Sequence, residues 1–155
     1  MTVSDFNERK KLSIKIEHKI AKWVDKKYRT FIPFPRGEDP KDVDVADFIS
    51  IEGNIFCLNE VKGRTKVFTC REDYPYPALI VMSKDPYDLK VSMHGKPTRF
   101  IEVSHDQTAL AIIDVCKTEH AWFVSPIPDP TRDYHATECY LCPKELVDFI
   151  VPKAL

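Results

Sequence analysis

Asp47, Glu60 and Lys62 are the residues of this chain whose types and spacing best suit chemistry. Between them runs Glu52-Gly53-Asn54-Ile55, which reads as a tight hairpin with Gly53-Asn54 as a two-residue loop suited to a primed turn. Such a loop fixes the register. Ile51 then faces Phe56, Ile49 faces Leu58, Asp47 faces Glu60 and Val45 faces Lys62, all on one face because strand side chains alternate with period two. Two carboxylates directly opposite one another have Cβ atoms about 4.5–5.5 Å apart. On a half-buried face they need a shared proton or a cation. Mg²⁺ suits the second option, since it binds through one or two carboxylates and keeps water and phosphate oxygens as its other partners. Lys62 would add a positive charge beside the same position, able to orient an attacking water or to stabilise charge developing on phosphate. The same three side chains also suit an inert ion cluster at a sheet edge.

The elements that must hold this hairpin are legible around it. Residues 5–28 predict one amphipathic helix, with Leu12, Ile16, Ile20, Trp23 and Val24 recurring at spacings of three and four. The segment from Phe31 to Pro40 holds three prolines and predicts a stiff loop. Strands are expected over 43–51, 55–62, 65–70 and 78–82, then a short helix over 86–93 with Asp85 as its cap and Pro86 at its first position. Further strands are expected over 99–104, 109–115 and 121–124, a proline-containing loop over 126–138, and a last helix over 144–151.

The composition limits what this hairpin can belong to. The 155 residues are the usual size of one domain, 43% apolar and 30% charged, which excludes a disordered or collagen-like chain. No apolar run approaches the roughly 18 residues of a membrane span. The polar start, MTVSDFNERKK, has no apolar core of a secretory signal and points to the cytoplasm, where the five cysteines are read as reduced thiols. A net charge of −1 hides an asymmetry: ten basic against four acidic residues in 1–36, then one against six in 37–53. A basic helix beside an acidic pocket suits a phosphate chain next to bound metal, with Lys15, Lys19 and Lys22 on that helix as candidate phosphate contacts. The plainer reading of those lysines is a solvated helix face.

Asp47, twelve intervening residues, then Glu60-Val61-Lys62 resembles the PD-(D/E)XK nuclease superfamily, whose fold is called restriction-endonuclease-like. Its signature is an Asp at the end of one strand and an acidic-x-Lys on the next, after an N-terminal helix. Ala46-Asp47 stands where the family usually has Pro-Asp, and Asn59-Glu60-Val61-Lys62-Gly63-Arg64 matches the second motif. The match covers roughly residues 5–70. The family normally has a long helix between its third and fourth core strands, where this chain offers only a short one, so the C-terminal half is expected to be elaborated.

The resemblance implies a single α/β domain, a mixed β-sheet flanked by helices, and Mg²⁺- or Mn²⁺-dependent hydrolysis of DNA phosphodiester bonds with structure-selective or weakly specific cutting. Asp47, Glu60 and the Val61 carbonyl would hold the ion, Lys62 would handle the nucleophile, and Glu17 on the first helix would support the ion's hydration shell. Arg64, Lys66 and Arg71 would contact phosphates as the chain leaves the site, and Arg36 with the 36–40 loop would enter a groove or cover the site. Cutting two strands would call for a homodimer, because one site cuts one strand. The alternative is a nuclease-like fold that binds or inhibits without turnover.

Weaker candidates remain. His135, Cys139 and Cys142 have zinc-like spacing but offer three ligands, and buried strand thiols are the plainer reading. Cys116 and His120 lack an orienting acid for a thiol hydrolase. Tyr74, Tyr76 and Tyr87 suit either base stacking or a core rim.

Overall fold

The computed structural model describes residues 3–32, 44–129 and 135–155, with side chains from residue 8 onward. Arg36 and the 36–40 loop lie outside the described residues. Helix α1 spans Val3–Asp25. Its stripe Ile20, Ala21 and Val24 is buried against Phe48, Val61, Ile101, Val103 and Leu110. Leu12, counted in the same stripe from sequence, is exposed, so the apolar contact begins further along the helix. Asp25 closes the turn after α1, accepting hydrogen bonds from the Thr30 backbone N–H and hydroxyl at 3.0 and 3.1 Å.

Among the described residues six strands form one mixed sheet in the order β1-β2-β3-β5-β6-β9: Arg29–Phe31, Phe48–Glu52, Ile55–Gly63, Arg99–Val103, Leu110–Asp114 and Asp148–Ile150. Strands β3 and β5 run parallel, and every other neighbouring pair is antiparallel. A second, antiparallel sheet has the order β4-β8-β7, from Ala78–Ser83, Ala136–Pro143 and Phe123–Pro128. Helix α2, Lys84–His94, follows β4 and precedes β5. Helix α3, Val115–Thr118, is a single turn after β6.

The first sheet separates two cores. On one face α1 covers Phe48, Val61, Ile101, Val103 and Leu110. On the other, Phe100, Ala111 and Ile113 pack with Leu79, Val81 and Cys142 of the second sheet and Tyr87 of α2. Fully burying each large apolar side chain contributes about 1.5–3 kcal/mol, so both faces of β5 and β6 are held from above and below.

Several expectations change. Residues 65–70 form no strand; the Thr69 and Cys70 N–H groups bond to the Asp73 carboxylate, and the Phe68 N–H bonds to Ser104 Oγ. The expected 126–138 loop is strand at both ends, because β7 runs through Pro126 and Pro128. Strand β7 is an edge strand in the described sheet, where a missing N–H is tolerated. The expected last helix is one 3₁₀ turn, Lys144–Leu146, followed by β9 on the free edge of β6. Pairing that edge and burying Val147 outweigh the local helical pattern. Helix α2 starts two residues early, with Ser83 in the cap position.

Candidate active site at the open end of the hairpin

The β2–β3 hairpin has the expected register: Glu52 pairs with Ile55, Ile51 with Phe56, Ser50 with Cys57, Ile49 with Leu58 and Phe48 with Asn59. Gly53 takes φ 65°, the left-handed value that a two-residue turn with glycine at its first central position requires. Phe48 and Val61 lie on the α1 face. By alternation Ile49, Leu58, Glu60 and Lys62 lie on the opposite face.

The expected next pair, Asp47 with Glu60, is not a ladder pair. The ladder ends at Phe48 and Asn59, and the Asp47 N–H bonds instead to the Asn59 carbonyl at 3.0 Å. Asp47 stays tied to β3 through its side chain as well, since Asp47 Oδ2 accepts a 2.7 Å hydrogen bond from the Val61 N–H. In a strand, N–H and C=O of one residue point to the same side. The Val61 carbonyl therefore also points to the β2 side of β3.

Glu60 is 2% exposed and Lys62 is half-buried. Burial, and then the charge of Asp47, raise the Glu60 carboxyl from 4.5 to about 7 against the opposing pull of Lys62 and Lys90. Lys90 was not singled out from the sequence. It is 6% exposed on α2, and its Nζ donates to Glu60 Oε1 at 2.5 Å and to the Asp44 carbonyl at 2.8 Å. Its signal was available: Tyr87, Lys90 and Val91 share one face at helical spacing, which puts a lysine where the helix is buried.

Glu102 was also missed. It pairs with Lys62 across the parallel β3–β5 ladder and is fully buried. Burial pushes its carboxyl up, opposed by Arg64 and Lys62. Arg64 reaches this carboxylate and also donates to the Ile80 carbonyl at 2.5 Å. A charged residue inside the otherwise apolar run Phe100–Val103 was the available signal, since it requires a partner.

The other expected site residues are dispersed. Glu17 is 9% exposed on α1, the helix that covers the sheet face opposite Glu60 and Lys62. Among the described residues no three His, Cys, Asp or Glu side chains group closely enough to hold an ion, so Glu17 does not complete a cluster with Asp47 and Glu60. Arg64 is turned inward, as described. Arg71 donates to the Lys144 and Val147 carbonyls at 3.1 and 3.0 Å, while Lys66 is exposed. Lys19 donates to Gln107 Oε1 at 2.8 Å. Lys15, Lys19 and Lys22 line one open groove of about 590 Å³ with His18, Asp25 and Thr30.

For the zinc alternative, Cys139 and Cys142 lie three apart on β8 and face different cores, and His135 is exposed. All five cysteines are free. Tyr74 and Tyr87 are buried and Tyr76 is exposed. No described helix is long and apolar enough to cross a membrane.

The donor set fits a divalent ion in part. Asp47 bonds to the Val61 N–H and its charge acts on Glu60, so two carboxylates lie near the point where the β2–β3 ladder ends, and Mg²⁺ binds through one or two carboxylates. In place of a third acid the site holds the Lys90 ammonium. Compared with family models, curated proteins and solved structures, the chain matches none.

Proposed function

We propose that this protein is a metal-dependent nuclease of restriction-endonuclease-like fold that hydrolyses DNA phosphodiester bonds. One observation carries the reading: Asp47 and the Glu60-Val61-Lys62 strand meet at the point where β2 leaves β3, with the Val61 N–H held by Asp47. The chain order agrees with the resemblance at its start, where helix α1 precedes the antiparallel β1-β2-β3, and departs from it afterwards, where β4 and only the short α2 lie between β3 and the parallel β5.

Asp47, Glu60 and the Val61 carbonyl would hold Mg²⁺ or Mn²⁺, which supplies Lewis-acid stabilisation to the phosphate when bound. Asp47 fixes the end of the ladder and orients the Val61 peptide. Lys62, half-buried on the Glu60 face, orients the water nucleophile and offsets charge on the phosphate. Exposed Lys66 and the groove lysines Lys15, Lys19 and Lys22 would contact the backbone, and a homodimer would deliver two cuts.

A second reading is a nuclease-like fold that binds without turnover. The Glu60–Lys90 pair favours it, because a neutralised carboxylate is a poorer ion ligand. The test is incubation with plasmid, single-stranded DNA, a four-way junction and RNA, with Mg²⁺ or Mn²⁺ and with chelator. Metal-dependent cleavage abolished in Lys62→Ala is the expected result. Binding without cleavage under every condition would select the second reading.

A further inference from the structure

Lys90 is an unusual partner for a candidate ion ligand. It comes from α2, thirty positions along the chain from Glu60, and is almost fully enclosed. Its ammonium touches two oxygens, Glu60 Oε1 at 2.5 Å and the Asp44 carbonyl at 2.8 Å. Asp44 lies three residues before Asp47 on the same incoming segment. One ammonium therefore ties the segment that delivers Asp47 to the strand that carries Glu60.

These are hard oxygen donors, a carboxylate and a carbonyl, and they suit a small divalent ion as well as an ammonium. Both cations cannot use the same Glu60 oxygen at such short distances. An ammonium contributes one positive charge and hydrogen bonds; a divalent ion contributes two charges and tighter oxygen contacts. Buried charges are retained where they are paired, so an ionised Glu60 needs one cation or the other.

We propose that the Lys90 ammonium is the resident cation of this site, a positioning residue that holds Glu60 and the Asp44–Asp47 segment together and that a divalent ion displaces from Glu60 on binding. This rests on the metal-nuclease reading above. Lys90 lowers the affinity for the ion, because each binding event must break its contact with Glu60. It also keeps the ligands near their working positions between binding events.

The experiment is Mn²⁺ titration by calorimetry of the whole protein and of Lys90→Met, which keeps the length and apolar stem without the charge. The expected result is a dissociation constant lower in Lys90→Met by on the order of tenfold, and a larger Mn²⁺-induced rise in its thermal midpoint than in the parent. Lys90→Arg, which keeps a cation, should show no such tightening. Because Lys90→Met could fail to fold, the parent is also titrated with Mg²⁺ while the Lys90 ¹³Cε resonance, assigned by its loss in Lys90→Arg, is followed. It should shift and saturate with the isotherm of a parallel Mg²⁺ calorimetric titration of the parent. If the parent binds the ion but Lys90→Met binds no tighter, or the Lys90 resonance stays fixed, the displacement idea is overturned and the nuclease reading stands. If neither protein binds Mn²⁺, both fall.

Discussion

Asp47 Oδ2 accepts its 2.7 Å hydrogen bond from the Val61 N–H one step beyond the last ladder pair, Phe48 with Asn59. The acid thus stands in for the backbone carbonyl that the departing strand no longer supplies. A hydrogen bond to a charged group contributes about 1.5–3 kcal/mol. Asp47→Ala should lower stability by that amount in urea melts. Asp47→Asn, whose amide oxygen still accepts, should lose less. Both should lose metal-dependent cleavage in a plasmid assay, and a fully active Asp47→Asn would remove Asp47 from the site.

Lys62 separates chemistry from binding. It lies on the Glu60 face, two residues along β3, and beside Glu102 on β5. A charge aimed at the nucleophile and the developing phosphate charge acts in the transition state more than in the ground state. Lys62→Ala should bind DNA nearly as the parent does and cleave about two to three orders of magnitude more slowly. Normal single-turnover rates in that variant would make Lys62 a bystander.

The Arg64–Glu102 pair should be structural. Glu102 is fully buried, and Arg64 is its partner. Removing one member of a buried pair leaves a charge uncompensated and costs about 3–5 kcal/mol. Arg64→Ala should therefore lower the thermal midpoint sharply. Lys66→Ala, at an exposed position two residues on, should leave the midpoint within a degree or so and act only on DNA affinity.

Glu60 links the site to pH. Its carboxyl is raised from 4.5 to about 7 by burial first and by Asp47 second. The native state then holds this proton more tightly than the unfolded chain, so the group's contribution to stability is fully present below about 4.5 and is lost as pH rises through about 7. Denaturation midpoints of the parent should fall across that window. Glu60→Gln, which does not titrate, should flatten this part of the profile; an unchanged slope would mean another group produces it.

The helix lysines are tested by salt. Lys15, Lys19 and Lys22 line one groove, with Lys19 held by Gln107. If they track a phosphate backbone, neutralising Lys15 and Lys22 should weaken binding to all DNA sequences alike. It should also reduce the salt slope by roughly one unit per lost contact. An unaltered slope would return them to a solvated helix face.

The hairpin was readable in the sequence because its determinants are local. A two-residue turn and period-two alternation set the register from Glu52–Ile55 to Phe48–Asn59, and the helical spacing of Ile20 and Val24 marked the face of α1 that is buried. The same local rules put Asp47 opposite Glu60, a pairing that is not formed. Only tertiary structure decided that the ladder stops one pair short of Asp47, because strand divergence depends on what the incoming chain meets. It also decided that residues 144–151 supply β9 rather than a helix, since an unpaired edge of β6 and a buried Val147 outweigh local preference. Above all it supplied the counterions. Lys90 and Glu102 reach Glu60 and Arg64 from 30 and 38 residues away, and charge compensation inside a core depends on distance in space, which spacing along the chain does not encode.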